Sequence, residues 1–583
     1  MINILNIDFK NINFFHFLLI LLPVLLVSGP LLPDLIVTII SFYFIFVFYI
    51  KKDFKVTNSI KIFVKFFLIF YIIAIISSIN SIEPMVSLRS SVPYIRFLFF
   101  VLGTYYLLKN NLNIINVMSF VLIVMIFFLS IDATSQYFFG ESLFGFGSMG
   151  NRPSSLFGSE LILGSYVARL FPIGFIYIFS LTDKNKKILF ILYFIICLLA
   201  IIVSQERTAF IQFIFAHFLF FLLIKDVRKI YSYLFFITSI FIFVFSLTST
   251  TIFDRLITHT LNQGVKGNHM YLYSERHTDH ILTAINMIKV KPLIGHGNKS
   301  FRFLCDKPQY STENLINDRQ NFYSKTDQLV TLEMLSPGNG NLQFSKEIRD
   351  YPFWQIAEIY FPLEMKIKKE DLIIAETKWI AGLKGDKDIQ KIFSSSVYNT
   401  SKEKEERVGE IILDHTNEIK EQANILSTEG ILSISSEKNV HELFYIDNTT
   451  NIQKRINMSI LLHLPSFKYN LKKGEKILKL AYDHKNGCNT HPHHLFIQVF
   501  SENGLLNFAI IVLLLVSIIF ILIKENKNKN KNIKNYNTKC ALLVMGLITL
   551  FPLVPSGNFF NNWLSIAYYL PVGLYFVISK KID

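Results

Sequence analysis

The amino-acid sequence predicts an all-α polytopic membrane protein with about twelve transmembrane helices and one large loop carrying a small α/β or β-rich insert. Hydrophobic residues occupy 51% of the 583 positions, and charged residues occupy only 17%, well below the roughly 25% of soluble chains. The apolar residues come in runs of about 20, the length of helix that crosses a bilayer. This composition excludes a disordered, collagen-like or coiled-coil chain and argues against a water-soluble enzyme.

Twelve apolar runs account for the predicted helices. Their limits are 12–29, 31–50, 59–80, 88–108, 115–134, 159–181, 187–204, 207–225, 230–249, 504–524, 539–556 and 560–579. Lysines and arginines follow the even-numbered runs, as at 51–55, 183–187 and 524–527. Because positively charged loops stay in the cytoplasm, both termini are predicted to be cytoplasmic. No cleavable signal peptide is predicted, since the first run leads into a helical hairpin.

One polar connection, residues 250–503, lies between the ninth and tenth runs on the side opposite the termini. Acidic and basic residues nearly balance within its centre, so the net charge of +15 belongs mainly to the membrane part and does not indicate a nucleic-acid partner. The predicted divisions are 1–249 (helices 1–9), 250–305 (first half of the loop), 306–487 (soluble insert), 488–503 (histidine-rich segment) and 504–583 (helices 10–12).

Local patterns predict a few elements inside this connection. Helical spacing predicts a helix over 274–289, and a charged helix is predicted over 401–426. Apolar and β-branched runs predict strands at 329–334, 358–366 and 456–464.

Several arginines lie within or beside the predicted helices, where a charge is expensive and normally has a task. Arg96 and Arg169 lie inside helices, Arg152 precedes one, and Arg207 opens another. The structural alternative is that Arg169 pairs with Glu160 and that Arg96 reaches to the membrane surface. The functional alternative is a phosphate or diphosphate bound at the outer surface, since guanidinium is planar, permanently charged and bidentate.

A histidine-rich segment follows the predicted insert and contains His491, His493 and His494. Three histidines in four residues suggest metal, but no further ligand accompanies them at zinc spacing, so no metal is predicted. The Gly-x-Gly at 295–297 follows no strand of a βαβ unit, and no cofactor is predicted. A neutral imidazole at a helix start suits a general base near neutral pH. Glu502 either orients a histidine or has a structural role.

The two cysteines of the large loop, Cys305 and Cys488, lie at the two ends of the predicted insert. If the loop faces an oxidising compartment, they are plausible disulfide partners. Such a bond would tie the histidine-rich segment to the Gly-His-Gly segment.

Five motifs, in chain order, resemble the O-antigen ligase and polymerase superfamily of bacterial inner-membrane glycosyltransferases. They are QYFFG at 136–140, RPSSLFGSE at 152–160 followed by GSY at 164–166, SQERTA at 204–209, PLIGHGNKSF at 292–301, and CNTHPHHLFIQVFSENG at 488–504. Two features depart from the family pattern. His494 stands where the family has asparagine, and the insert is longer than expected.

The resemblance implies a metal-independent, inverting glycosyltransferase with its ligase-like core at about 190–510. The enzyme would lie in the bacterial inner (cytoplasmic) membrane, with the large loop in the periplasm. The donor would be a glycan linked to undecaprenyl diphosphate. His493 would be the general base, and His491 is the second candidate for this role.

The resemblance also assigns the diphosphate ligands. Arg207 matches the arginine at a helix boundary, and Arg276 is the candidate from the loop. Arg152, Arg169 and Arg96 are weaker candidates.

The acceptor distinguishes the possible activities. A ligase would use a sugar of the lipid A core, whereas a polymerase would use the terminal sugar of another lipid-linked glycan. A transporter of lipid-linked glycans is an alternative of another class. It is disfavoured because the polar residues gather at the outer face and the sequence contains no evident internal repeat.

Overall fold

A computed structural model of the chain describes residues 12–51, 56–145, 152–158, 160–181, 183–236, 273–305, 307–311, 489–527 and 533–579, with single residues and short strands elsewhere between 238 and 456. The chain forms two compact units. One comprises Met1–Tyr310 with Gly487–Asp583, and the other is Ser311–Asn486.

Helices dominate the described part of the first unit. They are α1 (Phe14–Leu25), α2 (Leu31–Lys51), α3 (Asn58–Ile79), α4 (Pro84–Ser91), α5 (Arg96–Leu108), α6 (Asn113–Phe139), α7 (Leu163–Ser180), α8 (Asp183–Ser204), α9 (Arg207–Leu223), α10 (Glu275–Val290), α11 (Phe301–Leu304), α12 (Leu495–Lys527), α13 (Ile533–Thr549) and α14 (Asn562–Ser579). Two antiparallel strands of two residues each, β1 (Val265–Lys266) and β2 (His269–Met270), precede α10. The helix predicted over 274–289 therefore corresponds to α10.

Seven helical segments of the described residues are long and apolar enough to cross a bilayer. They are Leu31–Ile50, Asn58–Ile79, Pro84–Leu108, Asn113–Phe139, Leu163–Ser180, Asn185–Ser204 and Leu495–Lys527. The bent pair Arg207–Leu223 and Lys225–Phe236 brings the number to eight if it is one span. The protein is therefore a multi-pass membrane protein, while twelve spans and their orientation remain predictions. Of the ninth predicted run, the structure describes little beyond residue 236.

Two of the spans are interrupted where the sequence contains a proline or a glycine. A 3₁₀ turn at Val92–Ile95, which includes Pro93, separates α4 from α5 within one span. α12 begins at Leu495 and changes direction at Gly504, whose φ is +79°. The predicted tenth run therefore starts at this kink. The helical turns before Gly504 precede the predicted run in the sequence.

Helix α7 lies at the centre of the bundle. It contacts α6, α8, α9 and α13, and its side chains are buried along almost its whole length. By contrast, α2, α3 and α12 expose large apolar side chains such as Phe42, Phe46 and Phe520. In a membrane protein such surfaces face lipid, so the helices that reach the centre are the ones able to carry buried polar groups.

The described part of the second unit contains an antiparallel sheet of four strands, in the order β3 (Glu364–Ile367), β4 (Gly430–Ser435), β5 (Glu442–Asp447) and β6 (Gln453–Ile456). β3 overlaps the end of the strand predicted at 358–366. The helix predicted at 401–426 and the strand predicted at 329–334 lie outside the described residues. The α/β or β-rich class of the insert and its periplasmic position remain predictions.

Candidate active site

The two segments that flank the insert in the sequence lie against each other in the structure. Residues 292–301, which we call the glycine loop, pack on the N-terminal end of α12. The backbone N–H groups of His296 and Gly297 donate to the carbonyl oxygens of Ser501 (3.0 Å) and Glu502 (2.7 Å). Residues separated by about 200 positions thus form one rigid support.

The side chain of Glu502 holds this support together. Its Oε1 accepts from the backbone N–H of Phe301 at 3.3 Å, and its Oε2 accepts from Gln498 Nε2 at 3.0 Å. Beside it, Asn503 Nδ2 donates to Asn298 Oδ1 at 2.6 Å. The described residues contain no hydrogen bond from Glu502 to a histidine, so the geometry favours the structural role over the orienting one.

A glycine is required at position 504, where the glycine loop approaches α12 most closely. A Cβ there would lie 2.1 Å from the carbonyl oxygen of Leu293, and φ is in the left-handed region. We expect Gly504→Ala to lower the free energy of unfolding by more than about 2 kcal/mol. Thermal unfolding in detergent would measure the loss. The matched control is Gly546→Ala, whose new Cβ meets only the end of a flexible isoleucine; an equal loss in both variants would contradict the explanation.

Four imidazoles from two distant segments converge at the N-terminal end of α12. The ring centroids of His491, His277 and His280 lie 4.1, 5.3 and 5.4 Å from that of His493. We call these four residues the histidine cluster. The sequence analysis found α10 but missed His277 and His280, although their i, i+3 spacing places them on one face of a helix. Within the described residues no group of His, Cys, Asp or Glu is placed to hold a metal ion.

The backbone presents His493 in an unusual conformation. Its φ is +53°, a region that few non-glycine residues adopt but that histidine enters more readily than most. Its carbonyl oxygen accepts from the backbone N–H of Ser556 at 2.9 Å. Strained residues of this kind cluster at functional sites, where the surroundings hold them in place.

Burial keeps the neighbouring imidazole neutral. Burial, with smaller contributions from the nearby Arg302 and His277, lowers the pKa of His491 to about 4, although a hydrogen bond with the backbone of Ser556 opposes this effect. Thr490 Oγ1 lies 2.9 Å from His491 Nδ1. Near neutral pH, His491 therefore adds no positive charge beside His493.

His494 has a different role from the other histidines of its segment. Its Nε2 lies 3.0 Å from the carbonyl oxygen of Pro552, which can only accept, so Nε2 carries the proton. Its Nδ1 accepts from the backbone N–H of Ile497 at 3.3 Å, which caps the start of α12. Tyr273 donates to the same carbonyl oxygen at 2.9 Å. Burial lowers the pKa of His494, in keeping with a neutral ring whose two nitrogens are both used.

This geometry predicts how substitutions at position 494 differ. Asparagine caps a helix as well as any residue, whereas alanine cannot. We expect His494→Ala to lower the free energy of unfolding by about 1 kcal/mol or more and His494→Asn to recover most of that loss. Thermal unfolding of both purified variants would measure the difference. An alanine variant as stable as the asparagine variant would show that the cap is unimportant.

A second polar group lies where α7 and α9 begin. The carboxylate of Glu206 accepts from the backbone N–H of Gly164 (2.7 Å) and from the backbone N–H and hydroxyl of Ser165 (3.0 and 2.7 Å). Arg152 and Arg169 lie within its electrostatic range and oppose the effect of burial, which raises the pKa of Glu206. We call Arg152, Arg169 and Glu206 the arginine group. Glu206 and Arg207 both belong to the SQERTA motif. The motif therefore supplies the carboxylate of the arginine group and the first residue of α9.

The predicted diphosphate ligands occupy different surroundings. Arg169 is 3% exposed; one Nη donates to the carbonyl of Ser165 at 3.3 Å, and its Nε has no hydrogen-bond partner among the described residues. Arg207 opens α9 directly after Glu206. Arg96 pairs with Asp34 at 2.6 Å and donates to a neighbouring asparagine, so a structural partner occupies it. The side chain of Arg276 lies outside the described residues.

The loop that carries Arg152 is held by the QYFFG motif. Gln136 Oε1 accepts from the backbone N–H groups of Ser154 (2.9 Å) and Ser155 (2.8 Å). Asp132, one turn earlier, binds the hydroxyl of Ser155. The sequence analysis gave this motif no role. In the structure, the motif fixes the position of the loop that carries Arg152.

Residues 552–568, between α13 and α14 and in the first turns of α14, lie near both polar groups. This segment binds His493 and His494 through Ser556 and Pro552, as described above. Farther along, the ring of Phe559 stacks on Tyr568 at 5.3 Å, and Tyr568 interacts electrostatically with Arg169. One continuous segment thus connects the histidine cluster with the arginine group.

Cys305 is disulfide-bonded, whereas Cys197 and Cys540 are buried in the bundle and form no disulfide. The Sγ of Cys305 lies 3.9 Å from the carbonyl oxygen of Asn489. Cys488 itself lies outside the described residues, so the 305–488 pairing remains a prediction.

These features define a multi-pass membrane protein with a histidine cluster before the start of α12 and an arginine group near the starts of α7 and α9. Residues 192–329 match the family model described as O-Antigen ligase (Wzy_C), which confirms the resemblance to the O-antigen ligase superfamily. Members of this family are membrane-embedded, glycosyltransferase-like enzymes that act on lipid-linked glycans. No curated protein and no solved structure matches the chain.

Proposed function

We propose that the protein is an O-antigen ligase-like glycosyltransferase. It would move a glycan from undecaprenyl diphosphate to a sugar hydroxyl of the lipid A core at the periplasmic face of the inner membrane. The observation that carries this proposal is the convergence of three imidazoles on that of His493, beside the family-matched segment that contains α9, α10 and the glycine loop.

In the proposed reaction, the imidazole of His493 accepts the proton of the acceptor hydroxyl. The oxygen attacks the anomeric carbon of the donor sugar, and the bond from that carbon to the diphosphate oxygen breaks with inversion. The bonding electrons leave with undecaprenyl diphosphate, whose developing charge Arg207 and Arg276 stabilise. Because diphosphate is a good leaving group, one base and fixed positive charges are sufficient for this chemistry.

The arginine group supports the proposed position of Arg207. Glu206 fixes the first turn of α9 through three hydrogen bonds, and this places Arg207 at one end of the bundle. Residues 552–568 connect that end with the histidine cluster. The donor would therefore lie with its lipid in the bilayer and its diphosphate between the two polar groups.

Reconstitution would test the proposal. The purified full-length protein in proteoliposomes would receive a defined undecaprenyl-diphosphate glycan, either alone or together with lipid A core. A product that contains the donor glycan joined to lipid A core supports the ligase. Longer glycans formed from the donor alone would instead identify the polymerase, and translocation of the donor without a new glycosidic bond would reject both.

A further inference from the structure

Two cations, the first within the glycine loop and the second directly after it, have no role in the reaction as described above. Lys299 and Arg302 are three residues apart and both partly exposed. Neither makes an ion pair in the described part of the chain, and the Nε of Arg302 is buried without a hydrogen-bond partner there. Burial and the nearby Arg302 both lower the pKa of Lys299. The two charges therefore repel each other in surroundings that solvate them poorly.

The nearest carboxylate does not neutralise them. Glu502 uses its oxygens to bind the backbone N–H of Phe301 and the side chain of Gln498. It lies within electrostatic range of both cations but forms no ion pair with either in the described residues. The carboxylate thus holds the loop in place and leaves the cationic side chains available.

The backbone around Lys299 is held firmly in place. Lys299 has a φ of +63°, and Asn298, which precedes it, is bound by Ser87 through its carbonyl oxygen at 2.7 Å and by Asn503 through its side chain at 2.6 Å. A Cβ at Gly297 would lie 2.5 Å from Ser81. A rigid loop that holds unpaired cations together is pre-organised for an anion, which would relieve the repulsion.

The position of these cations connects them with the histidine cluster. Arg302 acts electrostatically on His491, whose ring is 4.1 Å from that of His493. The ring of Phe301, the residue before Arg302, lies 6.5 Å from His280. An anion held by Arg302 would therefore lie beside the proposed base.

We propose that Lys299 and Arg302 form a binding site for a phosphate group beside the histidine cluster. Its assignment to a substrate rests on the proposed function, and the phosphate then belongs either to the diphosphate of the donor or to the acceptor. Lysine and arginine are the side chains that most often bind phosphate, arginine through two parallel hydrogen bonds.

Direct binding tests the site without any assumption about the reaction. Inorganic pyrophosphate would be titrated calorimetrically into the full-length protein in detergent. We expect Lys299→Gln combined with Arg302→Gln to weaken binding at least tenfold, and the single Arg302→Gln variant to lie between. The control is Lys291→Gln, which removes an exposed charge from the preceding turn and should change affinity less than twofold. Equal affinity of wild type and double variant, both with unchanged thermal unfolding, would overturn the proposal.

Kinetics in proteoliposomes identify the source of the phosphate. A higher KM for the donor in Arg302→Gln assigns the site to the donor diphosphate, whereas a higher KM for the acceptor assigns it to an acceptor phosphate. If both KM values match those of the wild type, the site does not serve a substrate and the substrate assignment is rejected. If the wild-type protein transfers no glycan at all, the proposed function fails while the pyrophosphate titration still decides the site.

Discussion

Replacing His493 with alanine is expected to lower the rate of glycan transfer by about a thousandfold, the typical contribution of a positioned general base. Without the imidazole of His493, no positioned base would accept the proton of the acceptor hydroxyl. Burial keeps His491 neutral, but its ring lies in a different position and so does not replace that of His493. The measurement is the initial rate of transfer in proteoliposomes, with matched amounts of protein.

The control uses the next histidine along the chain. His494→Asn keeps the cap of α12, so it should transfer glycan at close to the wild-type rate. The backbone hydrogen bond from Ser556 to the carbonyl oxygen of residue 493 remains in the alanine variant, but alanine enters the left-handed region less readily than histidine, so thermal unfolding of this variant is measured alongside its activity. Full activity of His493→Ala would refute the assignment of the base.

The sequence was informative wherever a pattern is local. The helical character of the chain, the helix at α10 and the resemblance to the superfamily follow from hydrophobic runs and short motifs. His277 and His280 carry a usable signal, since i, i+3 histidines face one way on a helix. That signal becomes meaningful only when His493 is known to lie opposite, about 215 positions later.

The partners of buried charges could not be predicted in the same way. Arg96 pairs with Asp34, and Arg169 interacts electrostatically with Glu206, which precedes another helix. Each of these contacts joins two different helices or their ends, so it depends on how the bundle packs. Spacing along one helix cannot reveal such a neighbour.

The insert leaves the site intact because both of its stems are anchored in the first unit. Before it, Phe301, Leu304 and Tyr310 pack with residues of α10 in a small apolar cluster, against which Ile497 of α12 also lies. The chain returns at Asn489, next to Cys305. A long insertion between two fixed points costs little additional loop entropy. About 175 residues can therefore separate His277 and His280 from His491 and His493 in the sequence.

Replacing Arg207 with alanine is the second substitution expected to have a large effect, a loss of about a hundredfold to a thousandfold in kcat. Glu206 is anchored by Gly164 and Ser165, so the first turn of α9 should keep its place when the Arg207 side chain is removed. What is lost is the guanidinium that stabilises the charge developing on the leaving diphosphate.

The matched comparison is Arg207→Lys, which keeps the charge but not the planar, bidentate geometry. We expect it to recover part of the rate, and the alanine variant to show the larger change in kcat rather than in the KM of the acceptor, because the proposed contact strengthens as the bond to the diphosphate breaks. Single-turnover rates with a saturating donor would measure this directly. If Arg207→Ala transferred glycan as fast as the wild type, the diphosphate would have to be stabilised elsewhere, and Arg169 with its buried, unpaired Nε would become the first residue to test.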